Sequence, residues 1–308
     1  MGKNRLERRN TMTKLTIRDV RVVPGDSAFL IDDGETAILY DSGFAFTGYG
    51  VADKVRAILG ERSLDYIFLT HSHYDHALGA AYARRYWPRV KIVAGAYAAG
   101  IFAKPSARAV MRDLDRKFAV KCGVLHYEDL IDELRVDVPV KDGDVIHAGK
   151  MEFTVIDLPG HTKCSIGYYC PSEKLLLGCE TLGVFNGVDE VVPSYLVGYQ
   201  MTLHSIERAT ALDVEYILIP HFGLIQGEQA QFYLKRAKES AIATAEELTA
   251  LLRRGGSREE AVACFRAKFY HGYVKEIYPE DAMELNTGIT VSLLAREFGI
   301  ESGERTEK

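Results

Sequence analysis

With 308 residues and a 47% hydrophobic composition, the chain can bury one large core or two ordinary ones, which excludes a disordered or fibrous class. Its 38 basic and 43 acidic residues leave a formal charge of -5, so no positive field gathers a phosphodiester backbone and nucleic acid is not an expected partner. Five cysteines (Cys122, Cys164, Cys170, Cys179, Cys264) are odd in number and lack a CxxC pair, which argues against a disulfide scaffold or a zinc ribbon and for reduced, mostly buried thiols.

The opening "MGKNRLERRNTMTK" is polar and basic and has no apolar stretch like a secretory signal. Leu6 stands where a myristoylation motif needs Ser or Thr, so residues 1–13 are expected to be a flexible tail. From Lys14 to Asp41, alternating apolar and polar residues punctuated by Gly25, Asp26 and Gly34 predict a strand meander. "VADKVRAILGE" has helical spacing, "LDYIFLTH" reads as a strand, "HALGAAYARRYW" as a helix and "VKIVAG" as a strand. Residues 96–135 predict two or three amphipathic helices. One has Val110, Leu114 and Phe118 at i, i+4 and i+8, a stripe that reads as packing in preference to a substrate lid.

Strand patterns return in "GDVIHAGKMEFTVIDLPGHT", "CSIGYYC" and "KLLLGCET", followed by the helix "VGYQMTLHSIERATAL" and the strand "VEYILIPH". Strands followed by helix and strand thus occur twice, which predicts two layered halves packed sheet to sheet over residues 14–227. Residues 228–308 read as all helix, beginning with a long apolar stripe from 230 to 252 that ends at Gly255-Gly256 and continuing with a capping box from Ser257 to Glu260. No apolar run reaches the roughly 18 residues of a membrane span, and a soluble, cytoplasmic protein with no membrane partner is expected.

The chemistry concentrates in "FLTHSHYDHALGA". His71 and His73, two apart on an extended segment, can converge on one ion. Asp75 and His76 follow where strand turns into helix and can diverge toward a second ion. Three further ligand-type residues each end an apolar strand: His161 in "VIDLPGHT", Glu180 in "LLLGCET" and His221 in "YILIPH". His126, His147, His204 and His271 fall outside this pattern and read as surface or packing histidines.

The order HxHxDH, "PGHT", an acidic residue ending the next apolar strand and a last His after "ILIP" resembles the metallo-β-lactamase-fold hydrolases, including the glyoxalase II branch, from about residue 14 to 225. The resemblance implies an α/β fold, a four-layer αβ/βα sandwich, with the C-terminal helical region as an appendage covering the active-site side. It implies two divalent metal ions, zinc first with iron or manganese as alternatives. His71, His73 and His161 would hold one and Asp75, His76 and His221 the other. Glu180 occupies the position of the family's bridging Asp, one methylene longer. Cys179 is a rival ligand that strand alternation turns away. Asp41 in "ILYDSG" and Thr162 in "PGHT" would support the ligands from behind.

Two dications less Asp75, Glu180 and one hydroxide leave a centre of net charge +1, which favours hydrolysis of a small ester, thioester or lactone by a metal-bound hydroxide, with Asp75 as the catalytic proton acceptor. Tyr195, Tyr270 and Tyr273, with Tyr199 and Tyr278 beside them, are candidates for the substrate pocket, and "KFYHGYVKEIYPED" for its wall. Three rivals stand beside this expectation. The first is an iron enzyme, either a persulfide dioxygenase or a diiron oxidoreductase, although the diiron proteins carry Glu where His73 stands and their flavodoxin module would not fit in the helical tail. The others are a small-molecule phosphodiesterase and a low-turnover binding or signalling protein. A small-molecule substrate is the expected partner, and a homodimer is compatible with the sequence.

Overall fold

The computed structural model describes residues 15–300, and the expected tail, 1–13, lies outside the described residues. Strands β1 (Thr16–Asp19), β2 (Phe29–Asp32) and β3 (Ala37–Tyr40) form the antiparallel meander, in a register that sets Phe29 opposite Tyr40. Helix α1 (Gly48–Leu59) then returns the chain so that β4 (Tyr66–Phe68) lies parallel to β3. The short α2 (Tyr74–Ala77) and α3 (Gly79–Tyr86) lead to β5 (Lys91–Gly95), also parallel. Helices α4 (Ala96–Phe102) and α5 (Pro105–Lys121) precede β6 (Val138–Val140), the far edge of a six-stranded sheet ordered β1-β2-β3-β4-β5-β6. Pro139 obscures β6 in the sequence; an edge strand tolerates the lost donor.

The second sheet is ordered β14-β13-β10-β9-β8-β7. Strands β7 (Val145–Ala148), β8 (Met151–Asp157), β9 (Ile166–Cys170) and β10 (Leu175–Leu177) form an antiparallel run. A small ribbon of β11 (Val184–Phe185) and β12 (Val191–Val192) and the helix α6 (Tyr199–Thr210) intervene before β13 (Tyr216–Ile219), which pairs parallel with β10, and β14 (Gly223–Gln226).

Period-two alternation decides which side chains meet. Phe29, Ile31, Ile38, Tyr40, Phe68 and Val93 of the first sheet pack against Val155, Tyr168, Leu175, Leu177 and Leu218 of the second. Their alternates Leu30, Leu39, Ile67 and Ile92 face α1 and α3, and Leu176, Ile217 and Ile219 face the helices on the other side. Helix, sheet, sheet, helix are therefore the four layers. The outer helical layer is thickened by α7 (Glu228–Arg253), whose buried Tyr233, Leu234, Ala237, Ala241, Ala245 and Leu248 form the expected stripe. After it come α8 (Arg258–Phe269), α9 (Gly272–Ile277) and α10 (Glu280–Glu297). The capping box at α8 is present in both directions: Glu260 N–H donates to Ser257 Oγ (3.1 Å) and Ser257 N–H to Glu260 Oε2 (2.8 Å).

Candidate metal centre

All seven ligand-type residues leave strand ends or the turns after them on one edge of the sandwich. Two residues on this edge, Asp41 after β3 at φ +51° and His221 after β13 at φ +60°, have a backbone that ordinary residues rarely adopt. Such positive angles outside glycine persist where surrounding contacts impose them. The loop from His71 to Gly79 is pinned to the end of β3, since Ser42 N–H and Ser42 Oγ both donate to the His76 carbonyl, at 2.7 and 2.8 Å. A Cβ at Gly79 would sit 1.9 Å from the Ser42 carbonyl oxygen, so only glycine allows this approach. Gly160, at φ +145°, turns β8 into His161, and a Cβ there would lie 2.2 Å from Thr202 Oγ1.

Three overlapping groups result: His71, His73 and His161; His71, His76 and Glu180; and Asp75, His76 and His221, each with its donor atoms within 4.8 Å of one another. The first and third are the two sets that the sequence motif implies, and Glu180 stands between them. Its Oε1 lies 2.5 Å from His76 Nε2 and 3.0 Å from His221 Nε2, and its Oε2 3.7 Å from His71 Nδ1. The extra methylene of Glu relative to Asp therefore does not remove the carboxylate from the shared position.

The outer ring nitrogens are fixed from behind, which orients the inner ones. Asp41 Oδ2 accepts from His76 Nδ1 at 2.7 Å, while the same carboxylate also accepts from Ser27 Oγ (2.8 Å) and Thr70 N–H (2.9 Å). Because Asp41 takes the Thr70 hydroxyl proton, Thr70 Oγ1 accepts from His71 Nδ1 at 3.0 Å. His161 Nδ1 meets the Ser194 carbonyl at 3.0 Å, and His221 Nδ1 the Asp26 carbonyl at 3.2 Å. These tautomers leave the Nε2 lone pairs of His71, His76, His161 and His221 facing inward. His73 presents Nδ1 instead, 3.1 Å from His161 Nε2. Two nitrogens bonded to one tetrahedral zinc at about 2.0–2.1 Å are about 3.3 Å apart, so the pair is spaced for a common ion.

Fit to a cation is visible in what lacks a partner. His71 Nε2, His76 Nε2 and Glu180 Oε2 are buried without a hydrogen bond, the second lying off the hydrogen-bond axis of the nearby Glu180 Oε1. Orphaned polar atoms of this kind are costly unless something else satisfies them. Burial holds His71 well below the usual imidazole range and lowers His161, and it brings His73 down to about 3 with His161 adding to the effect. These rings are neutral and ready to donate. Burial opposes charge on Glu180 and Asp75, but His76 and its neighbours outweigh it, so Glu180 stays well below the carboxylate range and Asp75 falls to about 2. Burial likewise opposes charge on His76, but Glu180, Asp75 and Asp41 raise it well above its ordinary value, so His76 differs from the other rings in favouring a proton, and the carboxylates that favour a proton at Nε2 would equally favour a metal cation in its place.

A cleft of about 250 Å³ opens onto this cluster, with His73, Asp75, His161 and Glu180 at its floor. Several sequence expectations need correction here. Thr162 supports no ligand, because its hydroxyl is shared with Ser165 Oγ (2.8 Å) inside its own turn; Ser194, invisible to the motif, performs that task for His161. Tyr195, Tyr270 and Tyr273 do not line the cleft. Tyr195 is packed in the core beside the second sheet, Tyr270 donates to the Tyr278 carbonyl (3.1 Å), and Tyr273 donates to the His221 carbonyl. Tyr278, from the same C-terminal segment, is the tyrosine on the wall, together with Ile277, Pro279 and Asp281. Leu114 and Phe118 of α5 also line the cleft and so do more than pack. His126, His147, His204 and His271 are exposed, and Cys179 is buried among apolar residues of the second sheet's outer face.

Residues 23–221 match the family model of the metallo-beta-lactamase superfamily. Among curated proteins, Glyoxylase B2 of Dictyostelium discoideum is 28% identical over 129 residues, 41% of this chain and 39% of that protein. A hydroxyacylglutathione hydrolase of Legionella pneumophila is 27% identical over 138 residues, 42% of this chain and 41% of that one. An acyl-coenzyme A thioesterase of Gallus gallus is 25% identical over 178 residues, 54% and 61% of the two chains. The matched part thus spans about two fifths of the first two relatives. A metallo-beta-lactamase family protein from Thermus thermophilus has the same fold at a TM-score of 0.61 and 20% identity, over 94% of this chain and 95% of that one. A metallo-beta-lactamase superfamily protein from Sulfolobus tokodaii aligns at 0.52 and 19% identity over 74% and 86%. With the matched region covering most of the sandwich and all the ligand-type residues from His71 to His221, the chain belongs to the metallo-beta-lactamase superfamily.

Proposed function

We propose that this protein is a metal-dependent hydrolase that cleaves an ester, thioester or lactone bond in a small molecule. The observation that carries this reading is the set of buried atoms without a hydrogen-bond partner, His71 Nε2, His76 Nε2 and Glu180 Oε2, gathered at and just behind the floor that His73, Asp75, His161 and Glu180 give an open cleft. His71, His73 and His161 would hold one ion, Asp75, His76 and His221 a second, and Glu180 would lie between them. Bound there, divalent ions such as zinc supply Lewis acidity that lowers the pKa of water and polarises a carbonyl.

The chain's own residues do the rest. Asp75, its side chain 15% exposed, borders the cleft with Oδ2 3.5 Å from His76 Nε2 and 3.6 Å from His221 Nε2. A carboxylate held ionised beside the floor can orient an attacking water and accept its proton. Asp41 and Ser194 hold the imidazoles of His76 and His161 in position, so little reorganisation is needed during the reaction. Relatives named as a hydroxyacylglutathione hydrolase and an acyl-coenzyme A thioesterase support cleavage of a thioester or ester.

The test is hydrolysis of a panel of thioesters, esters, lactones and phosphodiesters by protein stripped with chelator and reloaded with defined metals. Turnover of acyl substrates that disappears on stripping and returns on reloading is expected. Undiminished hydrolysis after complete stripping, or exclusive turnover of phosphodiesters, would overturn the reading.

A further inference from the structure

The cleft walls differ in chemistry from its floor. On one side α5 presents Leu114 and Phe118, one helical turn apart, and Phe118 stacks on Phe44 with ring centroids 4.6 Å apart and planes at 15°. Opposite, Ile277 and the i, i+4 pair Leu285 and Ile289 of α10 continue the apolar surface to the mouth, where Leu285 is 58% and Ile289 39% exposed. What sets Leu285 and Ile289 apart from scattered exposed apolar residues is that they join Leu114, Phe118 and Ile277 in one apolar lining of a single cleft. Since this strip leads directly from His73 and Asp75, a substrate whose carbonyl sits on the floor must lay one of its two ends along it.

Charge decides which end. The mouth carries two lysines, and each has a carboxylate beside it: Lys117 Nζ lies 2.6 Å from Asp113, and Lys121 is paired with Asp281 across the cleft, so the rim carries no surplus positive charge. Among the described lining residues, Lys117 and Lys121 stand against Asp75, Glu180 and Asp281, so the walls offer no net positive field to draw in a phosphate or carboxylate of a carrier group. We propose that the site selects its substrate through an apolar acyl chain lying between α5 and α10, and does not read an anionic leaving group. This deepens the hydrolase reading and rests on it.

Burying one methylene favours a substrate by about fourfold, so partial burial of a chain of eight carbons exceeds tenfold discrimination over acetyl. Three measurements test the proposal on the metal-loaded full chain. For p-nitrophenyl esters, kcat/KM is expected to rise at least tenfold from acetate to octanoate, and Leu285→Ser or Phe118→Ser to reduce that octanoate-to-acetate ratio at least fivefold. Leu285 is exposed, so its variant keeps the fold, and an unchanged melting temperature verifies this. A ratio near one in the wild type, or one that neither substitution moves, overturns the proposal.

The second compares octanoyl-coenzyme A with octanoyl-N-acetylcysteamine, which share the acyl group and the thioester but differ in the anionic carrier. Values of kcat/KM within about threefold are expected; a tenfold preference for the coenzyme A form overturns the proposal. The third needs no turnover: octanoate should raise the melting temperature and acetate should not, with the shift lost in Leu285→Ser. If no ester is hydrolysed, the hydrolase reading fails while this binding measurement still decides whether the strip takes an apolar chain.

Discussion

Asp41 Oδ2 lies 2.7 Å from His76 Nδ1, and both side chains are closed to solvent. The carboxylate fixes the ring so that Nε2 faces Glu180, and it also accepts from Ser27 and Thr70. Replacing Asp41 with Asn keeps the shape and removes the charge. Loss of such outer partners weakens metal affinity by about 10- to 100-fold. Competition with a chelating dye should show that loss in Asp41→Asn; an affinity equal to the wild type would mean that His76 is positioned by packing alone.

Glu180 touches members of both ligand sets, so its removal should be felt by both. Glu180→Ala is expected to lower bound metal by about one equivalent and kcat by at least 100-fold, on the order of removing one strong electrostatic contributor. Glu180→Asp retains the charge one methylene further back and should keep both equivalents. Elemental analysis of the purified variants reads the difference. Metal content indifferent to Glu180→Ala would place the carboxylate outside the centre.

Tyr273 and Arg21 both donate to the His221 carbonyl, and Arg21 Nη1 also lies 2.9 Å from Tyr273 Oη. This pair holds the one ligand-type histidine whose φ is positive. Tyr273→Phe should therefore lower occupancy of the ion nearer Asp75, raising metal dissociation severalfold, with a fall of about 1 kcal/mol in stability from the lost hydrogen bond. An occupancy unchanged while stability falls would assign Tyr273 to the fold only.

Asp115 gives a pH signature away from the cluster. It is fully buried on α5, where its carboxylate accepts from Ala45 N–H (2.8 Å) and Tyr127 Oη, and burial raises it to about 6. Between the ordinary value of 3.8 and about 6 the folded state binds more protons than the unfolded one, so this group lowers stability as pH rises through that window, by up to about 1.4 kcal/mol per pH unit. Asp115→Asn should abolish that component and make the protein gain stability relative to wild type at pH 7. Denaturant unfolding at pH 4, 5, 6 and 7 measures it; parallel curves for the two proteins would contradict the burial effect.

The sandwich and the ligand set are legible in the sequence because both rest on local pattern. Strand alternation separates the inter-sheet face from the helix-facing one, and each ligand-type residue ends an apolar strand or lies within a few residues after one, so its position follows from where the pattern stops. What escapes is set by distant contacts. Ser194 reaches His161 from 33 residues away, with no spacing that relates them. Tyr273 and Tyr278 lie five positions apart in one segment, yet only the latter faces the cleft, a choice made by how α9 docks. Leu114 and Phe118 have the same helical spacing whether a helix or a substrate lies opposite, so periodicity cannot distinguish the two. Strands of two to four residues such as β11, β12 and β14 are too short to show a period.

The carbonyl of His221 accepts hydrogen bonds from side chains 200 positions before it and 52 after it. On a ribosome, the clamp on the His221 backbone is incomplete until residue 273 has emerged and α9 has folded back. A nascent sandwich that stops short of α9 lacks half of that clamp, and an ion held by Asp75, His76 and His221 would be retained less firmly there than in the finished chain.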